Sequence, residues 1–89
     1  MAKLIPGKVR IEGVALYETG KVAIIKEKNN RLYARVAEEE LRYSLEDDLV
    51  FCACDFFQKR GYCVHLAALE HFLKNDERGQ EILQSLEEG

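Results

Sequence analysis

The sequence predicts an α+β fold in which a small antiparallel sheet is followed by helices. Two patterns support this prediction. Residues 21–54 contain short stretches in which apolar and polar side chains alternate, as in strands that bury one face. Residues 62–86 carry apolar side chains at intervals of three and four, as in amphipathic helices. Strands grouped before helices favour an α+β arrangement.

An additional helix is predicted near the amino terminus, over residues 8–18. Pro6 and Gly7 precede it, and Gly13 interrupts its apolar side chains. Gly20 is expected to cap its carboxyl end, since glycine adopts the left-handed backbone that ends many helices. The apolar side chains of this segment are Val9, Ile11, Val14, Ala15 and Leu16.

The first two predicted strands, residues 21–28 and 31–37, form a hairpin. Asn29 and Asn30 stand between them, and asparagine tolerates the left-handed backbone that tight turns require. The second strand alternates clearly, so one of its faces should be buried. The residues on that face are Leu32, Ala34 and Val36.

Two more strands are predicted, at residues 41–45 and from Leu49 to Cys54. Leucine and tyrosine alternate with polar side chains in the first of these, which gives it a polar outer face. The acidic runs at residues 38–40 and 46–48 are expected to be solvated turns.

Helical spacing begins after Gly61. The predicted helix ends either at Asn75-Asp76 or at Gly79, and a short final helix with an acidic tail follows. The apolar positions of the two helices are Leu66, Leu69, Phe72 and Leu73, and then Ile82, Leu83 and Leu86.

Every cysteine of the chain lies within a segment of fourteen residues that also holds a histidine. Cys52 and Cys54 form one pair, and Cys63 and His65 form the second. Three thiolates and one imidazole complete a tetrahedral shell for one zinc ion; iron is a minor alternative. An odd number of cysteines also argues against a set of disulfides.

The spacing within each pair suits a shared metal. Cys52 and Cys54 project to the same face of an extended strand, while Cys63 and His65 occupy the start of a helix. The positive end of that helix should lower the pKa of the thiols, and the metal should lie at the edge of the core. Four protein ligands leave no open position, so we expect a structural zinc and no enzymatic activity.

Several neighbouring residues have simpler interpretations. His71 is expected to be a solvated helix residue, and Asp55 a turn or cap residue rather than a ligand. Of the aromatic residues, Tyr62 and at least one of Phe56 and Phe57 are expected to pack in the core.

The loop at residues 56–60 is a candidate contact surface for nucleic acid or for a protein partner. Phe57 offers a ring for stacking, and Lys59 and Arg60 offer positive charge. Loops often carry binding residues, although this one is short.

Charge is unevenly distributed along the chain, whose net charge is −3. Residues 1–45 have nine Lys or Arg against six Glu, a net of +3, whereas residues 46–89 have four against ten, a net of −6. The acidic second half argues against a broad phosphate-binding surface there. The basic residues of the first half are expected to form a solvated face of mixed charge. They are Lys3, Lys8, Arg10, Lys21, Lys26, Lys28, Arg31, Arg35 and Arg42.

A length of 89 residues predicts a single domain over residues 1–89, with a zinc-binding core at 49–76. The sequence has no apolar run typical of a signal peptide or of a membrane span, so a cytoplasmic location without a membrane partner is expected. No pattern indicates a small-molecule substrate.

The pattern Cys-x-Cys, a short loop and Cys-x-His resembles the SWIM zinc finger. The run at residues 51–69 is similar to the finger near the amino terminus of bacterial helicase-like ATPases of the Swi/Snf type, and a wider likeness covers residues 4–76. The chain is then either a fragment of a longer protein or a stand-alone finger, and the resemblance favours a fragment. The resemblance also implies that the domain helps a motor engage nucleic acid. The ATPase motor itself has no counterpart here.

Two functions stay open on the sequence. The resemblance favours an accessory DNA-binding or targeting module of a helicase-like ATPase. The acidic balance of the zinc-binding half favours a module that docks on another protein or on other domains of the ATPase. A zinc-stabilised scaffold without a binding role is a third, weaker alternative.

Overall fold

A computed structural model describes residues 5–28, 30–44 and 49–88, apart from the side chains of residues 86–88. Helices and one four-stranded sheet make up this part of the chain, which confirms the α+β prediction. The elements in chain order are α1 (Gly7–Glu18), β1 (Val22–Lys28), β2 (Arg31–Val36), β3 (Glu39–Ser44), β4 (Leu49–Cys52), α2 (Asp55–Arg60), α3 (Val64–Asn75) and α4 (Glu77–Glu88).

The sheet is an antiparallel meander with strand order β1-β2-β3-β4. Val36 pairs with Val22, and Leu41 pairs with both Ala34 and Cys52, so alternate residues of all four strands share one face. A β-bulge interrupts the register of β1 between Ile24 and Lys26. The inner face is buried against α3, and its fully or nearly buried residues are Leu32, Ala34, Val36, Leu41, Tyr43 and Cys52.

Two strand boundaries differ from the prediction by two residues each. β3 begins at Glu39, because the turn before it needs only Ala37 and Glu38, which have positive φ angles of 47° and 75°. The acidic run at 38–40 is therefore not entirely a turn. β4 ends at Cys52 rather than Cys54, because the chain then turns into α2.

Other predictions for this region lie outside the described residues. They concern Asn29, Leu45 and the acidic run at 46–48. Asn30 is described, and its φ of 62° agrees with the role predicted for it in the hairpin turn.

Helix α1 continues through Gly13, which sequence reasoning treated as an interruption. Gly13 is buried where α1 packs against α3. A Cβ at Gly13 would lie 2.5 Å from Ala67 Cβ and 2.8 Å from the backbone nitrogen of Ala68. Glycine is therefore present because the two helices approach closely. Gly20 follows the helix with a φ of 75°, as its predicted capping role requires.

A buried carboxylate also joins the two helices. Glu70 of α3 is 2% exposed, and its Oε1 lies 2.8 Å from the Arg10 guanidinium of α1 and 3.4 Å from Lys74 Nζ. These contacts compensate in part for the cost of burying the charge.

The break between α3 and α4 lies at Asp76, the first of the two predicted positions. Its Oδ1 accepts a hydrogen bond from the Arg78 backbone at 2.9 Å, and its Oδ2 accepts one from the Tyr17 hydroxyl at 2.5 Å. The bond from Tyr17 lowers the pKa of Asp76. Gly79 instead lies inside α4, which has twelve residues and is longer than expected. None of the helices in the described residues is long and apolar enough to cross a membrane.

Replacement of Gly13 by alanine should lower the free energy of unfolding by about 1–3 kcal/mol, because overpacking outweighs the better helix propensity of alanine. Urea denaturation of the zinc-loaded protein measures this loss of free energy of unfolding. Gly7→Ala, at the start of the same helix, is the matched control, since nothing lies within 4 Å of its new Cβ. Equal stability of the two variants would contradict the tight contact of α1 and α3.

Candidate metal centre

Strand β4 positions the first ligand. Cys52 is the last residue of the strand and pairs with Leu41 on the inner face of the sheet, where its side chain is 0% exposed. One more hydrogen bond links β3 to the residue after β4, since the backbone N–H of Ala53 donates to the Glu40 carbonyl at 3.3 Å. Cys54 follows with an extended backbone, so the two sulfurs are directed to the same side, as predicted.

The segment after Cys54 is a short helix, α2, where sequence reasoning expected a loop. Cys54 caps it, because its sulfur accepts a hydrogen bond from the Phe57 backbone at 3.4 Å. Asp55 in its first turn and Lys59 and Arg60 in its last turn complement the helix dipole. Gly61 ends the helix with a φ of 81°.

A second cysteine caps α3 in the same way. Cys63 Sγ accepts a hydrogen bond from the Leu66 backbone N–H at 3.4 Å, and Cys63 is 1% exposed. His65 lies in the first turn of this helix. Two of the three sulfurs therefore lie at helix amino termini, where backbone N–H groups stabilise thiolates.

The four predicted ligands converge. The candidate ligand atoms of Cys52, Cys54, Cys63 and His65 all lie within 4.8 Å of one another, and Cys52 Sγ is 3.9 Å from His65 Nδ1. Tetrahedral zinc with Zn–S near 2.3 Å and Zn–N near 2.0 Å separates its ligand atoms by about 3.5–3.8 Å. Small side-chain adjustments bring the cluster to that geometry, so these residues are positioned to bind one zinc ion.

Burial places the metal centre at the edge of the core. Cys52 and Cys63 are buried, whereas Cys54 and His65 are half-buried. A zinc ion here joins the end of β4 to the starts of α2 and α3, and four protein ligands fill its shell. The donor set therefore suits a structural ion.

The pKa values of the three thiols are shifted in different directions. Hydrogen bonding with Cys63 and burial raise the pKa of Cys52 to about 12, and burial raises the pKa of Cys54. Hydrogen bonding with Cys52 lowers the pKa of Cys63. The expected lowering of the pKa is thus seen only at Cys63, where hydrogen bonding with Cys52 is its largest cause and the N–H of Leu66 adds to it. At Cys54, burial outweighs the N–H donor of Phe57.

The neighbouring residues discussed in the sequence analysis lie outside the ligand cluster. His71 is half-buried rather than solvated, because its ring packs edge-on against Tyr17 with centroids 4.9 Å apart. Asp55 begins α2 and is exposed. Phe57 and Tyr62 are partly buried and pack against the core, as expected of one phenylalanine and of the tyrosine.

One exposed aromatic residue, Phe51, was not identified from the sequence as a candidate for binding. Phe51 on β4 is 45% exposed and packs edge-on against Phe57, with centroids 5.9 Å apart. Alternation along β4 is the signal that would have found it, since Phe51 lies between the inward residues Val50 and Cys52.

Comparison with known families agrees with this geometry. Residues 44–74 match the SWIM zinc finger family. The match spans β4, α2 and α3 nearly to its end, and it contains all four ligands. No curated protein and no solved structure matches the chain. The SWIM-like segment, residues 44–74, is thus a zinc-binding module with a Cys/His cluster.

Replacement of His65 by glutamine should abolish stoichiometric zinc binding and strongly destabilise the domain, because metal binding and folding are coupled. His71→Gln makes the same chemical change on the same helix and should keep one zinc per chain. Native mass spectrometry and thermal melting measure both effects. Retention of zinc and of the melting temperature in His65→Gln would exclude this residue as a ligand.

Zinc affinity should rise with pH, because zinc must displace protons from the thiols of Cys52 and Cys54, whose pKa values are raised. Release of at least two protons implies that the apparent Kd falls about 100-fold or more per pH unit between about pH 6 and 8. Calorimetric titrations in buffers of different ionisation enthalpy count the protons. Release of less than one proton per zinc would contradict these pKa directions.

Proposed function

We propose that this chain is a zinc-stabilised accessory module that helps a larger helicase-like ATPase of the bacterial Swi/Snf type to engage nucleic acid. The match to SWIM zinc fingers supports a zinc-binding module. The likeness of residues 51–69 to the fingers of such ATPases supports the motor context. We assign no catalytic activity, because the donor set fills the metal shell with protein ligands.

The observation that carries this proposal is the position of α2. Its first turn is held by the zinc ligand Cys54, so the metal fixes the orientation of the whole short helix. Lys59 and Arg60 at its other end are exposed. The Arg60 guanidinium lies 5.6 Å above the Phe56 ring, which orients the charge. Phosphate groups are the natural partners of such a cation pair.

We also propose that the module works in the cytoplasm as part of a longer chain. Cys52, Cys54 and Cys63 are free thiols, and all three must stay reduced to hold zinc. A reducing compartment meets that requirement. The SWIM-like segment covers only residues 44–74, which agrees with an accessory role.

A protein-docking role is the second candidate. Residues 46–89 carry a net charge of −6, which disfavours phosphate contacts over most of their surface. Phe56 on α2 is 47% exposed and offers an apolar anchor for a protein partner. In this alternative, Lys59 and Arg60 pair with carboxylates of the partner.

Titration of the zinc-loaded protein with labelled single- and double-stranded DNA at low and high salt tests the proposal. Lys59→Glu and Arg60→Glu should each weaken binding and lower the salt slope by about one. Lys21→Glu is the matched control, since it reverses a charge next to β1, at the opposite edge of the sheet. If the protein binds neither DNA at low salt, the protein-docking role is favoured instead.

A further inference from the structure

The outer face of the sheet is the largest feature that the metal centre does not use. Helix α3 covers the inner face, whereas the described residues place no helix on the outer one. Strand register arranges the outward side chains in rows across the sheet. One row is Lys28, Arg31, Ser44 and Leu49, the next is Lys26, Tyr33, Arg42 and Phe51, and the third is Ala23, Arg35 and Glu40.

Positive charge is concentrated on this face. Its rows contain five Lys or Arg side chains and one carboxylate, a net of +4 on a chain whose total is −3. The glutamates that interleave in sequence lie elsewhere, since Glu12 and Glu18 belong to α1 and Glu27 pairs with the inward Leu32. Among the residues that the structure describes, only Glu40 shares the face, 3.5 Å from Arg35. Folding therefore separates charges that appear mixed along the sequence.

Two aromatic rings lie within this positive field. Tyr33 and Phe51 occupy the same row with Arg42 between them, two strand spacings or about 10 Å apart. Phe51 is 45% exposed and is supported from one side by the edge of Phe57. Lys26 Nζ lies 4.7 Å from the centroid of the Tyr33 ring.

A shallow depression of about 360 Å³ is lined by Tyr33, Arg42 and Phe51. Arg31, Ser44 and Leu49 also line it. Open sheet faces that combine aromatic rings with cations suit unpaired bases, which stack on the rings while phosphates pair with the flanking charges. The bases of a duplex are already paired and stacked on one another, so its phosphates would contact the cations while no base would stack on Tyr33 or Phe51. An acidic protein segment would likewise need only the cations.

We propose that the outer face of the sheet binds single-stranded nucleic acid. Bases stack on Tyr33 and Phe51, and phosphates pair with Arg31 and Arg42. Lys26 moves aside from the Tyr33 ring as a base stacks there, and its ammonium then serves a phosphate. This inference rests on the proposed nucleic-acid function, and it adds a base-stacking surface on β2, β3 and β4 to the cations of α2.

The test is fluorescence anisotropy of the zinc-loaded full chain with labelled oligothymidylate and oligouridylate of about twelve nucleotides, and with a duplex of the same length. Phe51→Leu keeps an apolar side chain but removes the ring, and should weaken single-strand binding about fivefold or more. Ile11→Ala is the control, because it removes an exposed apolar side chain from α1, away from the outer face of the sheet. It should leave affinity within about twofold.

A second pair of variants tests the charges. Arg31→Gln and Arg42→Gln should each reduce the slope of log affinity against log salt by about one. Zinc content and melting temperature of every variant must match those of the parent protein. Tyr33→Leu, on a separate strand, repeats the ring test if Phe51→Leu fails to fold.

The outcomes separate the two proposals. The proposal for the sheet face is supported if single strands bind the parent protein, Phe51→Leu weakens that binding and Ile11→Ala does not. Equal binding by the parent protein and Phe51→Leu, or preference for the duplex, overturns this inference while the nucleic-acid function stands. Absence of binding to every oligonucleotide overturns both and favours protein docking.

Discussion

Convergence of four side chains from one strand end and two helix starts is the constraint on which the rest of the structure depends. Cys52 ends β4, Cys54 caps α2, and Cys63 caps α3, with His65 in the first turn of that helix. Helix α2 has no fully buried residue of its own, although Phe57 packs against the core. A chain of 89 residues buries a limited core, so the metal supplies binding energy where apolar packing ends.

The capping cysteines connect metal binding to helix formation. The sulfurs of Cys54 and Cys63 each accept a backbone N–H bond, and each is also directed at the metal position. A thiolate there satisfies an N–H donor that the helix leaves unpaired, and the same bond orients the sulfur for zinc. Replacement of Cys54 or Cys63 therefore removes a helix cap as well as a bond to the metal.

Much of this architecture could be predicted because its signals are local. Ligand spacing, strand alternation and the turn residue Asn30 each act within a few positions. Helix α2 could not be predicted, since six residues show no period and cysteine is an uncommon cap. Gly13 was misinterpreted because its neighbour Ala67 is distant in sequence. The basic sheet face emerges only when register brings separate strands together.

The β-bulge of β1 has a consequence for how this molecule meets others. β1 is the outermost strand on its side of the sheet, and the charged residues Lys26, Glu27 and Lys28 follow the bulge. A bent edge lined with charges is a poor template for another strand. Growth of the sheet at this edge by addition of a neighbouring chain is thereby discouraged, which leaves recognition to other surfaces of the molecule.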